Sequence, residues 1–205
     1  MHPNPAFRKA ETGQNLAFAR SRAFGTLAIN AEGGPLISHV PFLIAPDGRS
    51  ADLHLVRSNP ILRQLAAPQP AVIAVTGPDG YISPDWYGVD DQVPTWNYIA
   101  VHLRGQLSTL DAGDMRDMLD RQSAAYEDRL PKHPWTTGKM TPDVLNRMMR
   151  QIVPCRMAIE KIDGTWKLGQ NKPDEVRGAA AGHLTDSSIG SELDALAGLM
   201  RDPPA

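Results

Sequence analysis

The run "WNYIAVHLRGQL", residues 96–107, places Ile99, Val101, Leu103 and Leu107 at alternating positions, with Tyr98, His102, Arg104 and Gln106 between them. Successive side chains of a strand point to opposite faces, so this period of two predicts a half-buried antiparallel strand. Such a strand needs neighbours. The chain offers them in "FGTLAIN" (24–30), "PLISHVPFLIA" (35–45), "ADLHLVR" (51–57), "PAVIAVTG" (70–77) and "CRMAIEKIDGTWK" (155–167). Strands do not alternate with helices in βαβ order, so a doubly wound parallel sheet is not indicated. An antiparallel β-barrel or sheet with helices at its ends is, which makes the class α+β.

The second of these strands is apolar on both faces and reads as buried on both sides, although Pro41 asks for an edge position or a bulge. "PDGR" at 46–49, "GPDG" at 77–80 and Asp163-Gly164 read as turns. Helical spacing predicts an amphipathic helix in "GQNLAFARSRAF" and a helix start in "SNPILRQLA", with Ser58 or Asn59 as N-cap and Pro60 at the first helical position. Between 112 and 152 the period becomes helical, with Met115, Met118, Leu119, Gln122 and Tyr126 on one side of a first helix and Thr141 capping a second. Two short helices, "PDEVRGAAAGHL" and "SELDALAGLM", follow the last strand and are joined by a Thr/Ser/Gly linker read as mobile. The expected organisation is one domain over 1–184, including the helical insertion 112–152, and a short helical tail over 185–205.

Composition removes several function classes. A net charge of −2 exerts no global pull on nucleic acid, and the helices at 113–130 and 142–152 are separated by "LPKHPWTTGKMT", too long for a helix-turn-helix. Direct DNA reading is therefore supported by neither charge nor motif. Cys155 is the single cysteine, so no intrachain disulfide forms, and its apolar neighbours Met157 and Ile159 suit a buried, inert thiol. His39, His54 and His102 show no metal-ligand spacing, so no metal site is expected. No stretch approaches the ~20 apolar residues of a membrane span, and "MHPNPAFRKAETGQ" lacks a signal-peptide core, so a cytoplasmic location is expected.

Two segments carry binding chemistry. Arg57-Ser58-Asn59-Pro60 sets a guanidinium and a hydroxyl where a strand opens into a helix N-terminus, which suits a phosphate. The same residues also make a plain helix cap with a solvated arginine. "TWKLGQNKP" gathers Trp166, Lys167, Gln170, Asn171 and Lys172, which suits a flat, polar, anionic ligand, or equally a surface hairpin with a packed tryptophan. The aromatics Tyr81, Trp86, Tyr87, Trp96 and Tyr98 serve either as pocket walls or as the plug of a barrel end.

In order and spacing, "GPLISHVPFLI", "LHLVRSNP", "VTGPDGYISPDWY", "VPTWNYIAVHLRGQL" and "TWKLGQNKP" resemble the PaiB-like family of FMN-binding transcriptional regulators. The resemblance implies an antiparallel split β-barrel of the pyridoxamine-phosphate-oxidase type, assembled as a homodimer with FMN at the subunit interface. It places the FMN phosphate near Arg57 and Ser58, with His54 and Asn59 assisting. His39 lies on the neighbouring strand, and Thr95, Trp96 and Asn97 lie near the isoalloxazine. Lys167, Gln170, Asn171 and Lys172 close the site from the same or the other subunit. One departure is Gly169, where a small hydroxyl residue is expected. Catalytic residues are not identifiable, and a flavin-dependent oxidoreductase acting on a small molecule stands as the alternative activity.

Overall fold

A computed structural model describes residues 2–204. Its eight strands are β1 (Phe24–Ile29), β2 (Leu36–Pro41), β3 (Leu43–Ile44), β4 (Ser50–Val56), β5 (Gln69–Ile82), β6 (Thr95–Thr109), β7 (Ile152–Lys167) and β8 (Gly190–Ser191). They form one sheet in the order β2-β1-β5-β6-β7-β4-β3, with β8 pairing to β5. The helices are α1 (Thr12–Arg22), α2 (Met115–Glu127), α3 (Pro142–Met149), α4 (Asp174–Leu184) and α5 (Leu193–Arg201). The architecture is α+β, a curled antiparallel half-barrel sheet with five helices.

The alternation in β6 is realised, with Ile99, Val101, Leu103 and Leu107 buried and the residues between them half-buried. Three sequence expectations fail. Residues 35–45 do not make one strand buried on both sides: β2 is an edge strand with Ile37 57% exposed, and the chain breaks before β3 at Phe42. Proline is tolerated there because an edge strand leaves one row of N–H groups outside the ladder. "GPDG" is no turn, since β5 runs through it: an added Cβ at Gly80 would meet Leu193, Leu184 and Leu196 at 2.9–3.0 Å, so that glycine admits the C-terminal helices. Asp163-Gly164 is likewise inside β7, where Asp163 is buried and lies 3.8 Å from the Arg8 guanidinium.

Two compact units divide the chain, and β5, β6 and β7 contribute residues to both. One comprises the residues up to Phe18, Val75–His102 and those from Ile162 onward. Its core joins Ile82, Tyr87, Ile99, Trp166 and Leu168 to Ala180, Ala181 and Leu184 of α4 and to Leu196, Ala197 and Met200 of α5. The segment after 184 is thus packed inside this unit. Burying a side chain such as Leu196 or Met200 contributes about 1.5–3 kcal/mol. The linker expected to be mobile carries β8, and the Ile189 carbonyl accepts from Tyr81 N–H at 3.1 Å.

The other unit comprises Ala19–Ala74 and Leu103–Lys161. Here β1 pairs with β2 from Phe24↔Pro41 to Ile29↔Leu36, and β4 pairs with β7 from Ser50↔Ala158 to Val56↔Ile152. On α2, Met115, Met118 and Gln122 are buried at three- and four-residue spacing, the stripe that helical periodicity predicts. Tyr126 ends the helix by donating its hydroxyl toward the Ala23 and Phe42 carbonyls at 3.2 and 3.1 Å.

Candidate functional site

The predicted site residues fall into two groups, one in each unit. The first group lies where β4 ends. Arg57 donates Nε–H to the Arg150 carbonyl at 2.9 Å and Nη2–H to the Ile152 carbonyl at 3.4 Å. A guanidinium carries five N–H donors, so these bonds leave most of its capacity unspent. Ser58 is exposed and its hydroxyl makes no hydrogen bond among the described residues. The expected α-helix after Pro60 is instead a five-residue 3-10 turn, Pro60–Gln64. Asn59 is its cap, accepting from Ile61 N–H at 3.0 Å and donating to Ser38 Oγ at 2.7 Å. The anion-ready helix terminus is therefore absent, and a phosphate here would rely on the Arg57 and Ser58 side chains.

Arg57 also lines a cleft of about 600 Å³ with Arg116, Arg150, Met115, Met149 and Leu110, a size within the ~300–1,000 Å³ of small-molecule sites. Neither Arg57 nor Arg150 has a carboxylate partner among the described residues. Arg150 was invisible to motif reading because it caps the end of α3, 93 residues from Arg57 in the chain. His39 is exposed on β2. His54 lies half-buried on β4, and burial lowers its pKa despite an opposing hydrogen bond with Gln122. Burial thus disfavours the charged ring, and its Nδ1 and Gln122 Nε2 are both buried without hydrogen-bond partners among the described residues.

The second group gathers around a cleft of about 280 Å³, lined by Thr95, Asn97, Lys167, Asn171 and Lys172 of the predicted set. Lys167 donates Nζ–H to Thr95 Oγ1, and Lys172 donates to Gln92 Oε1. The Lys172 ammonium also lies 4.4 Å from the centre of the Tyr87 ring, a cation–π distance. Burial lowers the Lys167 pKa. Asn97 is only 1% exposed, and its one side-chain hydrogen bond among the described residues runs from Nδ2 to the Met200 sulfur at 3.3 Å. Gly169 has φ +83°, the left-handed region that a side chain rarely adopts, which accounts for glycine where a hydroxyl residue is expected.

Two predicted members stand outside this cleft. Gln170 is spent on the bend after β7: its Oε1 accepts from Leu168 N–H at 2.9 Å and its Nε2 donates to the Trp166 carbonyl at 2.6 Å. Trp96 is 45% exposed, on the strand face opposite Thr95 and Asn97, with its ring edge-on to Tyr81 at 6.3 Å. Trp166 is held by packing against Phe18 and by donating Nε1–H to Asn15 Oδ1 at 2.9 Å. Tyr87, one of the aromatics read as pocket walls or barrel plug, lines the cleft, and so does Gln92, which sequence alone did not single out.

Among the described residues no group of three or more His, Cys, Asp or Glu could hold a metal ion. Cys155 is fully buried, and burial raises its pKa to about 12. No helix is long and apolar enough to cross a membrane among the described residues.

Comparison with known proteins adds the lineage. The family model described as "Putative FMN-binding domain" matches residues 1–161. Protease synthase and sporulation protein PAI 2 of Bacillus subtilis is 31% identical over 171 residues, covering 82% of each chain. Among solved structures, the FAD- and heme-binding protein of Mycobacterium smegmatis superposes with a TM-score of 0.58 at 18% identity, covering 84% of this chain and 80% of that one. A flavocytochrome of Azotobacter vinelandii gives 0.58 at 13% identity, covering 81% and 72%. At these identities the likeness is one of fold, and it makes the sheet a split barrel.

Proposed function

From the premise that the chain belongs to this FMN-binding domain family and takes FMN as its cofactor, we propose that it acts as a cytoplasmic homodimer with the flavin at the subunit interface, in the regulatory role that the PaiB-like resemblance implies. The observation that carries the site assignment is the Arg57–Ser58 turn. The partly unspent Arg57 guanidinium lines a cleft of about 600 Å³ beside Arg150, which has no ion pair among the described residues, and the unbonded Ser58 hydroxyl follows Arg57 in the turn. These groups fit a phosphate, because guanidinium donors match its oxygens in a fork. His39, His54 and Asn59 complete the phosphate grip. Thr95 and Asn97 serve the ring end, with Lys167, Asn171 and Lys172 closing it from the same or the other subunit, while Gln170 and Trp96, which stand outside that cleft, drop out of the expected set.

The regulatory reading does not require the chain to read DNA bases, and it draws on the sporulation protein to which the chain is similar. An oxidoreductase is the second reading, favoured by the cationic cleft around Lys167, which leaves room for a substrate. Bound FMN would supply the electron transfer, so the side chains need only bind and orient.

The test is a titration of FMN against riboflavin. Saturating FMN at a hundred times its Kd should stabilise the protein by about 2.7 kcal/mol, read as a thermal shift. Arg57→Ala should weaken FMN by ~tenfold or more while sparing riboflavin, which has no phosphate. Equal loss of both would assign the effect to distortion of the Arg150 and Ile152 carbonyls that Arg57 holds. Bleaching of the bound flavin by a nicotinamide reductant would decide for the oxidoreductase.

A further inference from the structure

The cleft of about 280 Å³ has a feature that holding a flavin ring does not explain: two ammonium groups with only neutral partners. We propose that Lys167, Lys172, Tyr87 and Asn97 form an oxyanion site for a small carboxylate- or phosphate-bearing substrate, separate from the grip on the cofactor's own phosphate. The proposal rests on the reading that the FMN phosphate is held at the Arg57 turn.

Charge comes first. Lys167 donates to a hydroxyl and Lys172 to an amide oxygen, and neither forms an ion pair among the described residues. An ammonium has three donors, so each lysine keeps two. Asp91 lines the same cleft but is exposed and bonds to neither lysine, which leaves the lining with an excess of positive charge. Two like charges in a partly desolvated cleft are unfavourable unless an anion joins them, and burial already lowers the Lys167 pKa.

The neutral donors point the same way. Tyr87 lines the cleft, and its phenol makes no hydrogen bond among the described residues, so its O–H is available to a ligand. Burial raises its pKa, so the hydroxyl keeps its proton and can donate. Asn97 spends its amide only on a thioether, a weak acceptor. Size sets the ligand class, because about 280 Å³ lies just under the ~300–1,000 Å³ of drug-sized ligands and suits an anionic group on a small body.

The experiment titrates FMN-loaded protein with inorganic phosphate and, separately, with acetate, at constant ionic strength, by calorimetry. Saturable binding of either is expected, and the tighter of the two identifies the oxyanion. Lys172→Met should weaken it by ~tenfold or more, a larger factor than any change in FMN affinity measured on the same variant. Tyr87→Phe keeps the packed ring and removes only the hydroxyl, and should weaken the anion several-fold, so the idea remains testable if the lysine variant folds poorly. Absence of saturable binding by both anions overturns the proposal. So does a Lys172→Met protein that loses FMN but still binds the anion, since the cleft then belongs to the cofactor. Should the chain take up no FMN, the cofactor reading fails alone, because the anion titration can still be run on the protein as purified.

Discussion

Asp52 and Lys172 mark two regions that treat charge in opposite ways. In the β4–β7 ladder, Asp52 is buried opposite Arg156 and beneath Arg121 of α2. It accepts Arg156 Nε–H at 2.6 Å, Arg156 Nη2–H at 2.9 Å and Arg121 Nη2–H at 2.9 Å. Arg121 in turn reaches Asp117 at 2.7 Å. Every charge there is answered within the protein. Around Lys167 and Lys172 the cations meet only a hydroxyl, an amide and a ring face. A cation answered by a carboxylate holds strand to helix, whereas a cation answered by neutral groups retains electrostatic demand that a ligand can meet.

The largest expected effect breaks the first region. Asp52→Asn keeps the shape but removes the charge facing two guanidinium groups. Both arginines are nearly half exposed, so water screens part of the loss, and a destabilisation of about 2–3 kcal/mol is expected from denaturant midpoints. Cys155 gives an independent readout. Its thiol is fully buried and deprotonates only near 12, so a thiol reagent labels it only through opening. Labelling should accelerate ~30- to 150-fold in the variant if opening is a pre-equilibrium.

A smaller effect follows with acid. Burial alone would raise the Asp52 pKa, but hydrogen bonds and charge from Arg156 and Arg121 outweigh it and hold the carboxyl below its ordinary value. A carboxyl depressed in the folded state contributes its stability above the unfolded pKa of about 3.9 and loses it as pH falls through the folded value. The stability gap between wild type and Asp52→Asn should thus be constant from neutral pH to about 5 and narrow below about 4. A gap unchanged down to the acid limit would show that packing, not charge, is what Asp52 supplies.

The smallest effect sharpens the contrast. Lys172→Met removes a cation that holds no carboxylate, so stability should change by no more than about 0.5 kcal/mol in the absence of ligand. A loss of several kcal/mol would place Lys172 in the same structural role as Arg156.

Most of the strand framework was legible in the chain because a period of two survives wherever one sheet face is buried. In β6 this held from Asn97 to Leu107. The failures came where local chemistry had two meanings. "GPDG" has turn composition, but Gly77 and Gly80 were needed for close approach of Phe18 and of the C-terminal helices. The proline after Asn59 signals a helix start, but the chain makes only one 3-10 turn before Leu65 closes it. Within the candidate site, Lys167, Asn171 and Lys172 were readable because cations and amides cluster in one short segment. Gln92 was not, since nothing local marks an amide in that loop as facing a cleft, and neither was Arg150, which joins its cleft from a helix end 93 residues from Arg57.

What the sequence determined by itself is therefore the α+β class, most of the strand and helix segments and membership of the FMN-binding family. Those properties depend on side-chain periodicity and on residue types close together in the chain. The tertiary structure decided which polar groups are spent and which are left over. Gln170 and Asp52 were claimed by the fold, whereas Ser58, Tyr87 and the two lysines were left with bonding capacity. That division could not be read in advance, because a donor is satisfied or left open only by the partners that distant parts of the chain bring within about 3 Å of it.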